Sequence, residues 1–231
     1  MSRPTNLLFS LLFLVFFVAC QEESEVATPI QDQNELLPEP ATAADINSWM
    51  AEAAAEARQN PESRRALGPV RVVDYVDVNR YVGRWYELAN FPDFFSQGCT
   101  CTTAEYAPIE GGVSVFNNCI VNGGNNSIRG QALVVDPTTN AKLAVQFPVS
   151  PFPGEYWIID LAENGQDKPY TFAVVSNSDR SSLFILSRTP QITTFRQKFE
   201  LTRIFINLIL QGFDLRELAI TPQPGDCEYP M

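Results

Sequence analysis

Ala141-Lys142-Leu143-Ala144-Val145-Gln146-Phe147 carries the pattern of a half-buried strand: Leu143, Val145 and Phe147 alternate with Lys142, Ala144 and Gln146. Successive side chains of a strand point to opposite faces, so the apolar set shares one side. Strand signals recur outward from this stretch at short intervals. Upstream, Ile128 to Val135 ends at the turn pair Asp136-Pro137. Further upstream, Cys101 to Tyr106 and Val113 to Val121 are joined by Pro108-Ile109-Glu110-Gly111-Gly112, a hairpin connection. Downstream, Glu155 to Leu161 and Tyr170 to Ser176 are separated by Asn164-Gly165, and Ser182 to Ser187 stops before Thr189-Pro190. One amphipathic helix fits Phe195 to Leu210, closed by Gly212, and a short strand follows near Glu217 to Ile220. Eight short strands with one late helix predict an all-β fold, an eight-stranded antiparallel up-and-down barrel with one C-terminal α-helix. Closure removes exposed edges and leaves room inside for one small ligand.

The chain divides by composition. From about Val70 to Cys227 it is globular and of a length that suits one domain. Gln21 to Gly68 is rich in Glu, Gln, Ala and Pro and poor in β-branched and aromatic residues, so it can bury little apolar surface. Within it, Asp45 to Arg58 reads as a short Ala- and Glu-rich helix with Asp45 the candidate cap, transient in a tether whose role is reach. At the start, Arg3 precedes an unbroken apolar stretch from Leu7 to Val18, the length of a signal-peptide hydrophobic region and too short to span a bilayer. The expected division is therefore signal peptide 1–19, acidic tether 20–70 and head 71–231.

Charge and residue inventory narrow the function. A net charge of −11 leaves no basic patch, which argues against nucleic acid as a partner and against electrostatic docking to anionic lipid. The chain has no histidine, which excludes Ser-His-Asp and Cys-His nucleophile pairs and removes the commonest metal ligand and general base. Neither a cofactor nor a metal is expected. Glu87 and Asp160 are the carboxylates nearest to candidate acids, and both read as surface or barrel-end hydrogen-bonding groups. The chain is accordingly read as a binding protein and not an enzyme.

Ala19-Cys20, ending the apolar stretch and followed by Gln21-Glu22-Glu23, resembles the lipobox of bacterial lipoproteins. That resemblance implies cleavage before Cys20, acylation of its thiol as a membrane anchor and, through Gln21, sorting to the outer membrane. Of five cysteines, four then remain: Cys99, Cys101, Cys119 and Cys227, enough for two disulfides in an oxidising compartment.

Val76-Asp77-Val78-Asn79-Arg80-Tyr81-Val82-Gly83-Arg84-Trp85-Tyr86-Glu87 strongly resembles the first signature of the lipocalins, Gly-x-Trp-Tyr. Leu183-Phe184-Ile185-Leu186-Ser187-Arg188-Thr189-Pro190 resembles their last signature, and the likeness runs from about Asp74 to Cys227. The branch most similar is that of bacterial outer-membrane lipocalins and apolipoprotein D. The resemblance implies that Trp85 closes the barrel's lower end with Arg188 across its face, so Gly83, Trp85 and Arg188 are structural. A guanidinium over an indole contributes roughly 0.5–2 kcal/mol.

Period-two arithmetic places Val113, Val115 and Asn117 on one face and Leu143, Val145 and Phe147 on another, while Tyr106, Tyr156 and Phe184 fall where the family points inward. Together these nine are the expected ligand-binding positions, an apolar cavity with a few polar groups. The family implies a fatty acid, a lysophospholipid or a similar lipid as ligand. No Arg or Lys is placed inside to pair a carboxylate, so the charge of the head group stays open. Pairing through the first hairpin brings either Cys99 or Cys101 close to Cys119. The family carries over Cys101–Cys227, leaving Cys99–Cys119; Cys99–Cys227 with Cys101–Cys119 is the alternative. Two functions follow, a lipid-anchored carrier in the outer membrane facing the periplasm, or a structural and interaction module with a filled barrel.

Overall fold

The computed structural model describes residues 34–60 and 68–230. The expected signal peptide and Cys20 lie outside them. Eight strands form the barrel: β1 (Gly83–Asn90), β2 (Thr100–Ile109), β3 (Gly112–Val121), β4 (Gly124–Val134), β5 (Lys142–Gln146), β6 (Gly154–Ala162), β7 (Phe172–Ser176) and β8 (Leu183–Ser187). Each pairs antiparallel with the next, and β1 closes the ring by pairing with both β2 and β8. A two-residue strand, β9 (Ala219–Ile220), adds to the end of β1.

The terminal strand is thus a ninth, and the strand that alternation alone misses is β1. Its last four residues, Glu87 to Asn90, are all buried, because a bulge between Glu87 and Ala89 breaks the period and the helix at 195–210 covers the outer face. Two turns are tighter than expected. Pro108 and Ile109 pair with Val113 and Gly112, so the first hairpin turns on Glu110-Gly111 alone. The β3–β4 turn is Asn122-Gly123, with φ of 52° and 77°, and β4 begins at Gly124 instead of Ile128. Asn and Gly tolerate the left-handed backbone that a two-residue hairpin needs. The polar run Asn125-Asn126-Ser127 hides this strand start from a hydrophobic-pattern reading.

A short helix, α1 (Ala43–Gln59), precedes the barrel, and a single turn, α2 (Val78–Tyr81), leads into β1. The C-terminal helix, α3 (Phe195–Leu210), has the expected bounds. Its capping box joins Thr194 to Gln197, and Leu201, Ile204, Phe205 and Leu208 form its buried stripe. That stripe meets Leu88, Val174, Leu183 and Ile185 on the barrel's outer surface, making a core outside the barrel. Asp160 of β6 ties α3 down: its carboxylate accepts from Arg203 Nη1 and Nη2 at 3.0 and 2.7 Å and from Asn207 Nδ2 at 2.5 Å. It is only 4 % exposed, not the surface group expected.

The segment expected as tether is corrected in part. Thr42, not Asp45, caps α1; its hydroxyl accepts from Asp45 N at 3.2 Å while Asp45 accepts from Thr42 N at 2.8 Å. Ile46, Trp49, Ala53 and Ala57 fall on one helical face and are buried, and α1 packs against α3. Ahead of α1, Leu37 N and Ala41 N donate to Thr193 O and Ile192 O at 2.7 and 2.8 Å. Because half of the stripe is alanine, its average hydropathy conceals it.

Cys99 bonds Cys119, and Cys101 bonds Cys227. The second bridge holds the C-terminal tail along β1 and β2, where Gln223 Nε2 donates to Glu87 O and Thr102 O at 2.9 and 2.8 Å. Among the described residues no helix is long and apolar enough to cross a membrane.

Candidate functional site

The barrel's lower end is sealed by the signature residues. Gly83 takes φ 97°, and a Cβ there would stand 3.4 Å from Arg188 Nη1. Trp85 is fully buried and donates from Nε1 to Tyr81 O at 2.8 Å. Arg188 Cζ lies 3.7 Å from the Trp85 ring centroid. Its guanidinium donates to the carbonyls of Arg80, Tyr81, Val82, Arg84 and Tyr170, which gather where α2 meets β1. Burial lowers its pKa to about 10, so it stays charged at neutral pH.

Above the Trp lies a layer of tyrosines. Tyr81 and Tyr156 hydroxyls stand 2.6 Å apart, and Tyr156 donates to Tyr106 Oη at 2.9 Å. Burial pushes Tyr106 up to about 12 and raises Tyr81 and Tyr156 well above the ordinary phenol value, so all three are neutral donors and acceptors.

Beyond this layer the barrel opens into a cavity of about 620 Å³, within the range of small-molecule sites. Of the nine expected positions, Tyr106, Val115, Asn117, Val145, Phe147, Tyr156 and Phe184 line it. Val113 and Leu143 do not. They belong to the packed interior with Trp85 and Tyr81, nearer the closed end, where side chains fill the barrel. Gly130 makes space for one wall: a Cβ there would come within 2.6 Å of the Phe147 ring. At the mouth Phe95, Val149 and Phe152 are exposed apolar side chains.

Glu87 of β1, Thr102 and Thr103 of β2 and Asn117 and Asn118 of β3 put polar groups on adjoining strands, joined by Asn126 and Ser127 of β4 and Glu155 of β6, while Val145, Phe147, Val175 and Phe184 supply apolar wall. Glu87, expected as a surface or barrel-end hydrogen-bonding group, is 6 % exposed and lines the cavity. It stands two residues after Trp85, hence on the same face, a signal present in the sequence. Its Oε1 accepts from Asn90 Nδ2 and Thr221 Oγ1, each at 2.6 Å. Burial raises its pKa, and Asp93 adds to the effect. Thr102, Thr103 and Asn118 were also missed. The bulge between Thr100 and Thr103, with Cys101 at φ 54°, shifts the faces there.

The chain matches the model of the lipocalin-like domain over residues 76–223. It is 36% identical over 164 residues to the outer membrane lipoprotein Blc of Escherichia coli K12, covering 68% of this chain and 84% of that protein. It is 35% identical over 165 residues to temperature-induced lipocalin-1 of Arabidopsis thaliana, covering 67% and 83%. To apolipoprotein D of Mus musculus it is 38% identical over 164 residues, covering 68% and 82%. Insecticyanin from the tobacco hornworm Manduca sexta shares the fold, with a TM-score of 0.54 at 18% identity, covering 69% of this chain and 87% of that one. With a sealed lower end, an open upper cavity and one helix on its flank, the chain belongs to the lipocalin family.

Proposed function

We propose that this lipocalin carries a small hydrophobic ligand in the envelope of a Gram-negative cell, as a non-enzymatic outer-membrane lipoprotein acylated on Cys20 and facing the periplasm. The observation that carries the reading is the open cavity: a 620 Å³ space walled by Val115, Val145, Phe147 and Phe184 suits an acyl chain. A barrel filled by its own side chains would favour the interaction module instead. The lipobox-like Ala19-Cys20 and the likeness to an outer membrane lipoprotein support the location. Docking of residues 34–59 on the head leaves 21–33 as the stretch between anchor and globule. Asp160 stands outside the cavity and is engaged in holding α3.

Native mass spectrometry of residues 21–231, oxidised and purified without detergent, followed by organic extraction, tests the carrier reading. A co-purified single-tailed lipid near one per chain, whether lysophospholipid or fatty acid, supports the carrier reading. An empty protein that also takes up no fluorescent lipid would overturn it in favour of the interaction module. Labelling with radioactive palmitate, lost in Cys20→Ser, tests the anchor.

A further inference from the structure

We infer that the cavity selects its ligand by head-group charge: it accepts a single-tailed amphiphile whose head is an ammonium group, held by Glu87, and rejects one that ends in a carboxylate. This rests on the carrier reading and names the ligand class within it.

Three observations carry it. First, among the described residues no Lys or Arg lines the cavity, whereas Glu87, Asp93 and Glu155 do. A ligand carboxylate would be desolvated there against carboxylates, with no cation to compensate. Arg188, half-buried, sits beneath Trp85 with its donors engaged by five carbonyls. Second, Glu87 is a buried carboxylate with half its hydrogen-bonding capacity unused. Oε1 takes both protein donors, and among the described residues Oε2 takes none. No salt bridge of the described residues involves it. A buried charge is costly until paired, so a cationic head would remove a penalty that the empty protein bears.

Third, four side-chain atoms of lining residues are buried without any hydrogen-bond partner: Thr102 Oγ1, Thr103 Oγ1, Asn117 Oδ1 and Asn118 Nδ2. Buried polar groups are nearly always paired in native proteins. Three of these four are oxygens that can accept. All belong to β2 and β3, beside Glu87 on β1. An ammonium head, rich in N–H or polarised C–H, meets acceptors on that wall while its tail lies against the apolar side chains of Val145, Phe147 and Val175.

The test compares three probes with the same twelve-carbon tail, dodecyltrimethylammonium, dodecanol and dodecanoate, each titrated calorimetrically below micelle formation. The expected order is ammonium at least tenfold tighter than dodecanol, with dodecanoate weakest, since one buried charge pair exceeds the energy of a tenfold change. Glu87→Gln should bring the ammonium probe to within about threefold of dodecanol, both measured in that variant. Should that variant fail to fold, Asp93→Asn at the exposed mouth must still narrow the ammonium-to-dodecanol ratio. Dodecanoate binding as tightly as the ammonium probe, or a ratio unmoved in the variants, overturns the proposal while leaving the carrier intact. Binding of none of the three probes overturns both.

Discussion

Replacing Cys101 and Cys227 together by serine opens the longer cross-link and asks what the tail's covalent tie contributes. The bridge spans 126 residues, and in the chain-entropy model a loop of that size lowers the free energy of unfolding on removal by about 5 kcal/mol. The folded state should change little. Cys101 N still donates to Pro222 O at 2.9 Å, Gln223 still bonds two carbonyls, and Tyr229 still meets the Tyr86 ring edge-on at 4.9 Å. The loss therefore falls mainly on the unfolded chain, and residual compactness there trims it to about 3–5 kcal/mol. Guanidinium titration followed by far-UV circular dichroism measures it, with Cys99–Cys119 intact in both proteins. The slope against denaturant should rise, since an unbridged chain exposes more surface. A loss below about 1 kcal/mol with an unchanged slope would refute the reasoning. It would mean that the unfolded ensemble is held compact by something other than the disulfide.

Arg188→Lys should cost about 2–4 kcal/mol in the same titration, because a lysine cannot lie flat on Trp85 while donating to five carbonyls. Trp49→Ala should cost about 3 kcal/mol and speed proteolytic cleavage within 34–60, as the buried indole anchors α1 on the head. Equal cleavage rates would show that α1 docks without it. The pH dependence of Glu87 has a definite sign. Burial raises its folded pKa above the unfolded value, so the associated stability is full below the ordinary glutamate range and is lost as pH rises through the raised value. Glu87→Gln should accordingly melt higher than the parent near pH 7 without ligand, the gap closing on acidification towards pH 4. A gap that widens with acid would contradict the assignment.

Local periodicity makes much of this protein legible. The alternation in β5 and the apolar stripe of α3 each follow from neighbours within one turn or one strand, while Gly83, Trp85 and Arg188 are legible through their resemblance to the family's two signatures. Val115, Asn117, Val145 and Phe147 follow too, because period two carries a face along a regular strand, whereas Tyr106, Tyr156 and Phe184 are legible only through the family resemblance. Where the backbone departs from regularity, that arithmetic stops. The bulges at Glu87/Ala89, Thr100/Thr103 and Ile158/Asp160 change which side chain faces which layer.

By itself, then, the sequence determined the strand-rich class, the flanking helix, the sealing motif and the absence of histidine chemistry. Only the tertiary structure decided which interior layer is packed and which is empty, placing Val113 and Leu143 in the one and Val115 and Val145 in the other. It also decided that α1 docks, since the partner stripe on α3 lies about 150 residues away in the chain. And it turned Glu87 from a residue beside a motif into a buried carboxylate in a cavity without cations. Burial and charge environment are sums over strands brought together by closure, and no local pattern contains them.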